Sequence, residues 1–324
     1  MQADIVTSLL TRALQAPSSH NSQPWQFAVD DARIELWADR RRALPVNDPD
    51  GRELLISCGA ALMTLRVAAA AAGLAARVEL LPCRADADLL AHVGLSCGPA
   101  DASLAWLGPG IDARRTCRHA YDGRAPEPAV AAAVVAALAE EGAGLITVDA
   151  AQRLAVGELV AEGDRIRWRD RAWRAELAMW LHGRRDGDGL ALPALLAPLA
   201  RAAVRKLDLG KRVAGHDRQG LTQAPWLTVV SSEEDNPRAW LMAGQALQRA
   251  LLTACRHGIQ ASYLNQPVQL PVLRRRLQSL LGTQAFPQLL LCWGYPQAPL
   301  PVTPRRSLDS VLHPAAGEPS RVRR

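Results

Sequence analysis

Residues 16–27 read Ala-Pro-Ser-Ser-His-Asn-Ser-Gln-Pro-Trp-Gln-Phe. They follow a short amphipathic segment, residues 5–14, and precede a strand-like segment at residues 33–38. Prolines restrict the backbone of this stretch, and the hydroxyl and amide side chains between them supply hydrogen-bonding groups. The pattern favours a rigid loop that holds the polar edge of a heteroaromatic ligand, with Pro17 as a flat apolar contact. A capped turn explains the same residues, because Ser and Asn commonly cap helices.

Two further segments place arginines beside a hydroxyl group. Residues 114–118 read Arg-Arg-Thr-Cys-Arg, and alternation along an extended chain puts Arg114, Thr116 and Arg118 on one side. Residues 303–307 read Thr-Pro-Arg-Arg-Ser. Because a guanidinium donates hydrogen bonds in a fork that matches a phosphate, both segments indicate an anion site. A solvated basic patch is the alternative interpretation.

Residues 55–76 and 242–261 resemble each other. At an offset of 185 residues Gly59 matches Gly244, with small apolar residues matching around them. Both segments read as a long helix that a later glycine ends, since glycine tolerates the positive φ of a C-terminal cap. We interpret the pair as an internal repeat.

The repeat divides the chain into two halves, residues 1–110 and 111–324. Residues 89–94 and 289–294, at an offset of 200, read as matching buried strands that end in glycine. The second half is longer, and we expect its excess to include an insertion at residues 164–221 that carries three tryptophans. This insertion is either a helical excursion packed on the body or a lid over a site.

These segments together resemble the FMN-dependent nitroreductase superfamily, and more closely its Acg-type branch, in which two degenerate nitroreductase repeats are fused. Residues 16–27 resemble the flavin-contacting loop, residues 114–118 the Arg-x-Ser-x-Arg/Lys motif, and Arg305 with Arg306 the C-terminal basic pair. The resemblance implies an α+β fold, a sandwich of central, mainly antiparallel sheets with flanking helices, arranged as an internal pseudo-dimer. The first half keeps the loop for the flavin ring, and the second half keeps the phosphate and N5 side. One FMN site per chain, between the halves, is therefore implied.

The resemblance also implies which residues contact the cofactor. Many members carry Glu-Gly where this chain has Asn265-Gln266, so the polarity of the pocket near flavin N5 must differ here. No side chain is assigned a catalytic role, because the chemistry takes place on the flavin. The implied contacts are Pro17, Ser18, Ser19, Asn21 and Gln23 around the ring and ribityl; Arg114, Thr116, Arg305 and Arg306 near the phosphate; Arg118 near the N1/O2 edge; and Leu264, Asn265 and Gln266 facing N5.

Two activities agree with the resemblance. One is a ping-pong reaction in which NAD(P)H, a transient electron donor, reduces FMN, and a nitro compound, a quinone or another small-molecule acceptor then takes the electrons. The other is storage or sequestration of FMN, with the insertion covering the flavin and little turnover.

A remote alternative is a serine hydrolase. Residues 94–98 match the G-x-S-x-G pattern, which would make Ser96 the nucleophile, with Asp309 and His313 as partners. The repeat argues against it, because it assigns Gly94 to the end of a strand.

Composition excludes several other classes. The chain has 324 residues, of which 49% are hydrophobic and 22% charged, the balance of a globular protein. Its longest apolar run, residues 54–76, contains Arg66, whereas a membrane span needs about 20 nearly uncharged residues. The net charge of +6 forms no basic stripe interleaved with aromatic residues, so we expect no nucleic-acid partner.

The cysteines and histidines indicate a reduced, metal-free protein. The six cysteines form no CxxC pair, no secretory signal is recognisable, and no cluster has metal-ligand spacing. We therefore expect a cytoplasmic protein without a metal or membrane partner. Because the two halves already supply the interface of a dimer, we expect a monomer or a weak homodimer.

Overall fold

A computed structural model describes residues 3–30, 33–183, 186–193 and 195–313. The elements up to residue 113 are α1 (Ala3–Ala13), β1 (Trp25–Asp30), β2 (Arg33–Ala38), α2 (Arg52–Ala71), β3 (Ala75–Leu80), β4 (Leu89–Ser96), α3 (Ala102–Trp106) and α4 (Gly108–Ala113). Those that follow are α5 (Pro128–Ala139), β5 (Gly144–Thr147), α6 (Ala150–Arg169), α7 (Arg171–Met179), β6 (Leu181–His182), β7 (Leu190–Ala191), α8 (Ala197–Lys206), α9 (Gly210–Gln223), β8 (Trp226–Ser232), α10 (Pro237–Arg256), β9 (Gln260–Tyr263), α11 (Gln266–Gln269), α12 (Pro271–Leu280) and β10 (Phe286–Gly294).

The strands form two four-stranded antiparallel sheets with the same connectivity. Their orders are β1-β2-β4-β3 and β5-β8-β10-β9, so in each sheet the fourth strand along the chain lies between the second and the third. A long helix, α2 or α10, connects the second strand to the third in each case. The predicted α+β fold, with mainly antiparallel sheets and flanking helices, is confirmed. A short parallel pair, β6 and β7, lies outside both sheets.

Helices α2 and α10 cross at two glycines in the centre of the molecule. A Cβ atom at Gly59 would lie 2.2 Å from the carbonyl oxygen of Leu241, and one at Gly244 would lie 2.0 Å from that of Ile56. The offset of 185 residues relates both the two glycines and the two carbonyls, so the crossing has a local twofold character. Only glycine permits this backbone approach. Although α2 is long and apolar enough to span a bilayer, 89% of its apolar stretch is buried.

The two halves share their apolar cores. Leu241 and Leu252 of α10 belong to the cluster that covers the first sheet, and Ile56 of α2 belongs to the cluster on the second. Arg52 of α2 also donates hydrogen bonds to the backbone carbonyls of Gln288 (2.6 Å) and Val268 (2.8 Å). Because burial and hydrogen bonds cross between the halves, neither core is complete alone.

The second half carries its extra chain in two places. Elements α6 to α9 lie between β5 and β8, whereas only two residues separate the corresponding strands β1 and β2 of the first half. Helices α11 and α12 lie between β9 and β10. The expected insertion at 164–221 begins inside α6 and ends inside α9. The expected boundary between residues 110 and 111 falls inside α4. We call residues 164–221 the lid, after one of the two expectations for this segment.

Candidate active site between the halves

A cavity of about 750 Å³ lies between the loop at residues 16–21, α2, the segment 114–121, the β9–α11 connection and the lid. Its volume is within the usual range of ligand pockets. Eleven of the thirteen residues implied by the family resemblance line it: Pro17, Ser18, Ser19, Asn21, Arg114, Thr116, Arg118, Leu264, Asn265, Gln266 and Arg305.

The loop that opens the site has a strained backbone. His20, Asn21 and Gln23 have φ values of 53°, 53° and 50°, in the left-handed region that residues other than glycine seldom adopt. The Ser18 hydroxyl accepts a hydrogen bond from the Gln23 amide (2.9 Å), which closes the turn. Such strain persists only where the surroundings fix the conformation, and it concentrates at functional sites.

The polar side chains of the loop form hydrogen bonds to other segments of the chain. The Ser19 hydroxyl donates to the Glu53 carboxylate of α2 (2.8 Å). The Asn21 amide donates to the backbone carbonyls of Gly187 (3.2 Å) and Pro304 (3.3 Å). These contacts attach the loop to the lid and to the C-terminal segment. The loop is therefore both a wall of the cavity and the junction of three chain segments.

His20 also lines the cavity, although its place in the motif predicted no role for it. Its Nε2 atom is buried and lacks a hydrogen-bond partner among the residues that the structure describes. Burial is the main cause that lowers the pKa of His20 to about 4, and nearby Arg118 and Arg167 lower it further against Glu53. The imidazole is therefore neutral at physiological pH and can exchange one hydrogen bond with a ligand.

Arg114 is a buried cation with most of its donors unused. Its Nη2 atom donates to the Gln15 carbonyl (3.3 Å), while Nε and Nη1 have no partner within the described ranges. Arg305 donates to the same carbonyl (3.1 Å), which brings the two guanidinium groups together. Burial lowers the pKa of Arg114, but a guanidinium stays charged at neutral pH. Two adjacent cations, with unused buried donors on Arg114, suit a phosphate.

The chain around Arg114 is extended and follows β9. Thr116 pairs with Ala261, and the Cys117 amide donates to the Ala261 carbonyl (2.8 Å). Arg118, at the exposed end of this segment, makes no hydrogen bond to the described part of the chain and lines the cavity. The segment thus presents its hydroxyl and guanidinium groups to the cavity.

Gln23 and Arg306 do not line the cavity. The Arg306 amide donates to the Gln23 side-chain oxygen (3.0 Å), and its guanidinium donates to the Gln23 carbonyl (3.1 Å). Gln23 is fully buried, and its amide donates to the Gly187 carbonyl (3.1 Å). The polar groups of both side chains are used in hydrogen bonds to the backbone. Gln23 and Arg306 therefore support the loop from the side that faces away from the cavity.

The connection after β9 places two amides differently. The Asn265 side-chain oxygen accepts from the Leu290 amide (3.1 Å), which holds it against β10. The Gln266 side chain instead reaches the lid, where its Nε2 atom donates to Asp164 (3.0 Å) and to Asp217 (2.8 Å). The polar environment of this end of the cavity therefore comes from the lid.

The lid contributes cavity residues that the sequence did not assign. Trp168 and Trp173 line the cavity with their rings edge to face, 5.6 Å apart. Asp164 and Asp217 line it beside them. The tryptophans were a visible signal in the insertion. No sequence pattern indicated the two carboxylates, because Gln266, which bonds to both, is about a hundred residues from Asp164 in the chain.

Hydrogen bonds hold the lid against the loop that precedes α2. The Glu176 carboxylate accepts from the backbone amides of Val46 (2.9 Å) and Asn47 (2.8 Å). Trp173 donates to the Asn47 side chain (2.9 Å), and Arg167 donates to the Asn47 carbonyl (2.9 Å). These bonds therefore fix the lid against residues 46 and 47, beside the cavity that it helps to line.

Ser96 does not have the setting of a hydrolase nucleophile. It is the last residue of β4 and pairs with Ala75 of β3, and α3 begins only at Ala102. A nucleophile elbow needs a sharp turn from strand directly into helix. Ser96 is also not part of the cavity wall.

Fold and site together define an α+β protein whose cavity, between the two halves and residues 164–221, suits a phosphorylated ligand. The chain is 32% identical over 324 residues to "Putative NAD(P)H nitroreductase Rv3131" of Mycobacterium tuberculosis, covering 96% of this chain and 91% of that protein. It is equally identical over 334 residues to "Putative NAD(P)H nitroreductase acg" of the same species, covering 96% of each. The chain therefore belongs to the nitroreductase family that includes Acg.

Family models and solved structures match the chain less well than these relatives do. No family model matches the chain. The FMN and NADPH-dependent nitroreductase NfnB of Sphigopyxis sp. strain HMH has a TM-score of 0.44 at 18% identity, over 64% of this chain and 97% of that one. A nitroreductase with bound FMN from Bacteroides fragilis has a TM-score of 0.37 at 18% identity, over 60% and 92%.

Proposed function

We propose that the chain binds one FMN in the cavity between its halves and passes electrons from NAD(P)H to a small-molecule acceptor, a nitro compound or a quinone. The observation that carries the proposal is the pair Arg114 and Arg305, two cations brought together at one carbonyl, with unused buried donors on Arg114. The resemblance of residues 16–27 to the flavin loop makes the anion the phosphate of FMN. The names of the relatives support NAD(P)H as donor.

Different residues would contact different parts of the cofactor. Arg114, Arg305 and Thr116 would bind the phosphate, Arg118 would lie at the N1/O2 edge, and the loop would contact the ring. FMN supplies the ability to accept and release a hydride, while the protein supplies position and electrostatics. We also infer that the halves derive from a duplicated unit, because their strand orders agree and the offset of 185 relates the glycine crossing.

FMN storage is a second candidate function. Its support is the attached lid, in which Glu176 receives two backbone hydrogen bonds from residues 46 and 47. A lid that stays closed would keep nicotinamide away from the flavin and slow its release.

Two measurements on the purified chain test these functions. Flavin absorption should correspond to about one FMN per chain; a colourless preparation that binds no added FMN would refute both functions. Anaerobic mixing with NADH or NADPH should then bleach the flavin absorption. If neither nucleotide bleaches a flavin-loaded chain, storage replaces the oxidoreductase proposal.

A further inference from the structure

We propose that Asp164 is the proton donor of an acid subsite in the lid, and that this subsite takes a neutral aromatic acceptor such as a quinone. The inference rests on the proposed oxidoreductase function and names its substrate class. It is carried by the hydrogen bonds of Gln266, the burial of Asp164, and the residues that surround the two carboxyl groups.

One amide nitrogen holds the two carboxyl groups together. Gln266 Nε2 lies 3.0 Å from Asp164 Oδ1 and 2.8 Å from Asp217 Oδ2. Gly163 allows α6 to approach so closely, since a Cβ there would lie 2.7 Å from the Gln266 Cβ. Only 3% of Asp164 is exposed, and its Oδ2 atom has no partner among the described residues. The cluster therefore leaves one buried carboxyl oxygen available in the wall of the cavity.

The surroundings favour a proton on that oxygen. Burial raises the pKa of Asp164 to about 7, and the charge of Asp217 raises it further, against smaller opposing effects of Gln266 and Arg165. Arg276 of α12 forms an ion pair with Glu162 on the exposed side of α6 (2.8 Å). Two carboxylates this close in a buried site do not both ionise readily. At neutral pH the cluster can therefore carry a proton that a ligand can receive.

The other walls of the cavity determine what can bind beside this oxygen. Trp168 and Trp173 supply aromatic surface, and Leu177, Leu190 and Val213 supply apolar surface. Asp217 disfavours an anionic ligand, whereas the other end of the cavity, at Arg114, favours one. An uncharged aromatic compound fits the lid end of the cavity.

The proton transfer balances as follows for a quinone. In the overall reaction NAD(P)H, one proton and the quinone give NAD(P)⁺ and the hydroquinone. Asp164 supplies this proton: its O–H bond breaks, a new O–H bond forms on the quinone oxygen as that oxygen gains electron density, and water reprotonates the carboxylate.

The test compares the parent with Asp164→Asn, which keeps the size and the hydrogen bond but cannot donate this proton. Thermal stability is measured first, at about pH 5 and about pH 9. Between pH 3.8 and about 7 the folded chain holds a proton on Asp164 that the unfolded chain has released, so the parent should lose stability relative to Asp164→Asn as pH rises across that range. Equal pH dependence in both proteins would overturn the proposal. The exposed variant Glu162→Gln is the matched control and should follow the parent.

The second measurement is reduction of 2-methyl-1,4-naphthoquinone and of its anionic sulfonate by the flavin-loaded chain. The parent rate should fall above about pH 7, and Asp164→Asn should be slower by about 100-fold or more at lower pH, without that fall. Asp217→Asn, which removes the neighbouring charge, should shift the fall to lower pH and improve the sulfonate relative to the neutral quinone. An unchanged rate in Asp164→Asn, or an unshifted profile in Asp217→Asn, would overturn the proposal. Absence of flavin would be a failure of the proposed function, and absorption detects it beforehand.

Discussion

At the scale of single residues, Arg114 is the strongest indication of a bound anion. Replacing it with alanine should weaken FMN binding by about 1.5–3 kcal/mol, or about 10- to 150-fold in Kd, the usual contribution of a charged hydrogen bond. A fluorescence titration with FMN measures the change. Arg33→Ala, which removes a surface arginine paired with Asp30, is the control and should leave Kd unchanged. Equal affinity of the parent and the Arg114 variant would remove this residue from the site.

His20 gives a second expectation, on stability and pH. Its pKa is lowered from 6.5 to about 4, so the folded protein resists protonation that the unfolded chain accepts. The parent should therefore lose up to about 3 kcal/mol of stability from this group as pH falls from about 6.5 to about 4. His20→Asn keeps a residue that tolerates positive φ and should lose less over the same range. Urea unfolding at several pH values measures the difference, and parallel losses would contradict the assignment.

Sequence could identify many of the cavity residues but not their orientation. Residue type and spacing indicated Arg114, Thr116 and the loop, because these patterns are local. Nothing local distinguishes Arg305, in the wall, from its neighbour Arg306, whose donors are used by the Gln23 backbone. Asp164 could not be predicted either, because the residues that surround it in the fold are distant in the chain.

At the scale of elements, the crossing of α2 and α10 depends on two glycines. Gly59→Ala should destabilise the protein by about 2 kcal/mol or more, because the added methyl would meet the Leu241 carbonyl at 2.2 Å. Gly215→Ala in α9, with nothing within 4 Å of the added atom, is the control and should stabilise by about 0.5–1 kcal/mol. Chemical denaturation measures both. A neutral Gly59→Ala would mean that the helices can separate at no cost.

The match between these glycines was visible in the sequence, and so were the long helices around them. The order of the strands was not, because pairings such as β8 with β10 join segments far apart in the chain. The expected limits of the lid, 164 and 221, lie within α6 and α9, so they do not coincide with the ends of helices. The inserted segment has no counterpart in the first half, so its ends cannot be located by aligning the two repeats.

The lid itself should control the release of FMN. Glu176→Ala removes the acceptor of two backbone amides, the half-buried one of Val46 and the buried one of Asn47, and leaving the Asn47 amide unsatisfied costs about 1–3 kcal/mol. We expect FMN to dissociate about tenfold faster or more, as measured by dilution into an excess of a flavin-free competitor protein. Glu162→Ala, on the exposed side of α6, should not change this rate. If Glu176→Ala also speeds bleaching by NADPH, the lid restrains turnover; an unchanged dissociation rate would show that these bonds do not hold it.

At the scale of the whole molecule, the halves should fold only together. Leu241 and Leu252 of α10 complete the core of the first sheet, and Ile56 of α2 completes that of the second, so a separated half exposes apolar surface on a long helix. We therefore expect fragments 1–123 and 124–324, divided in the exposed loop around Gly123, to lack cooperative unfolding when made separately. Produced together, they should associate in equal amounts and bind FMN, because the cut lies outside the cavity wall. Circular dichroism during heating and flavin absorption measure the two outcomes. A cooperative transition in either fragment alone would show that this fragment folds without the shared core and would contradict the prediction.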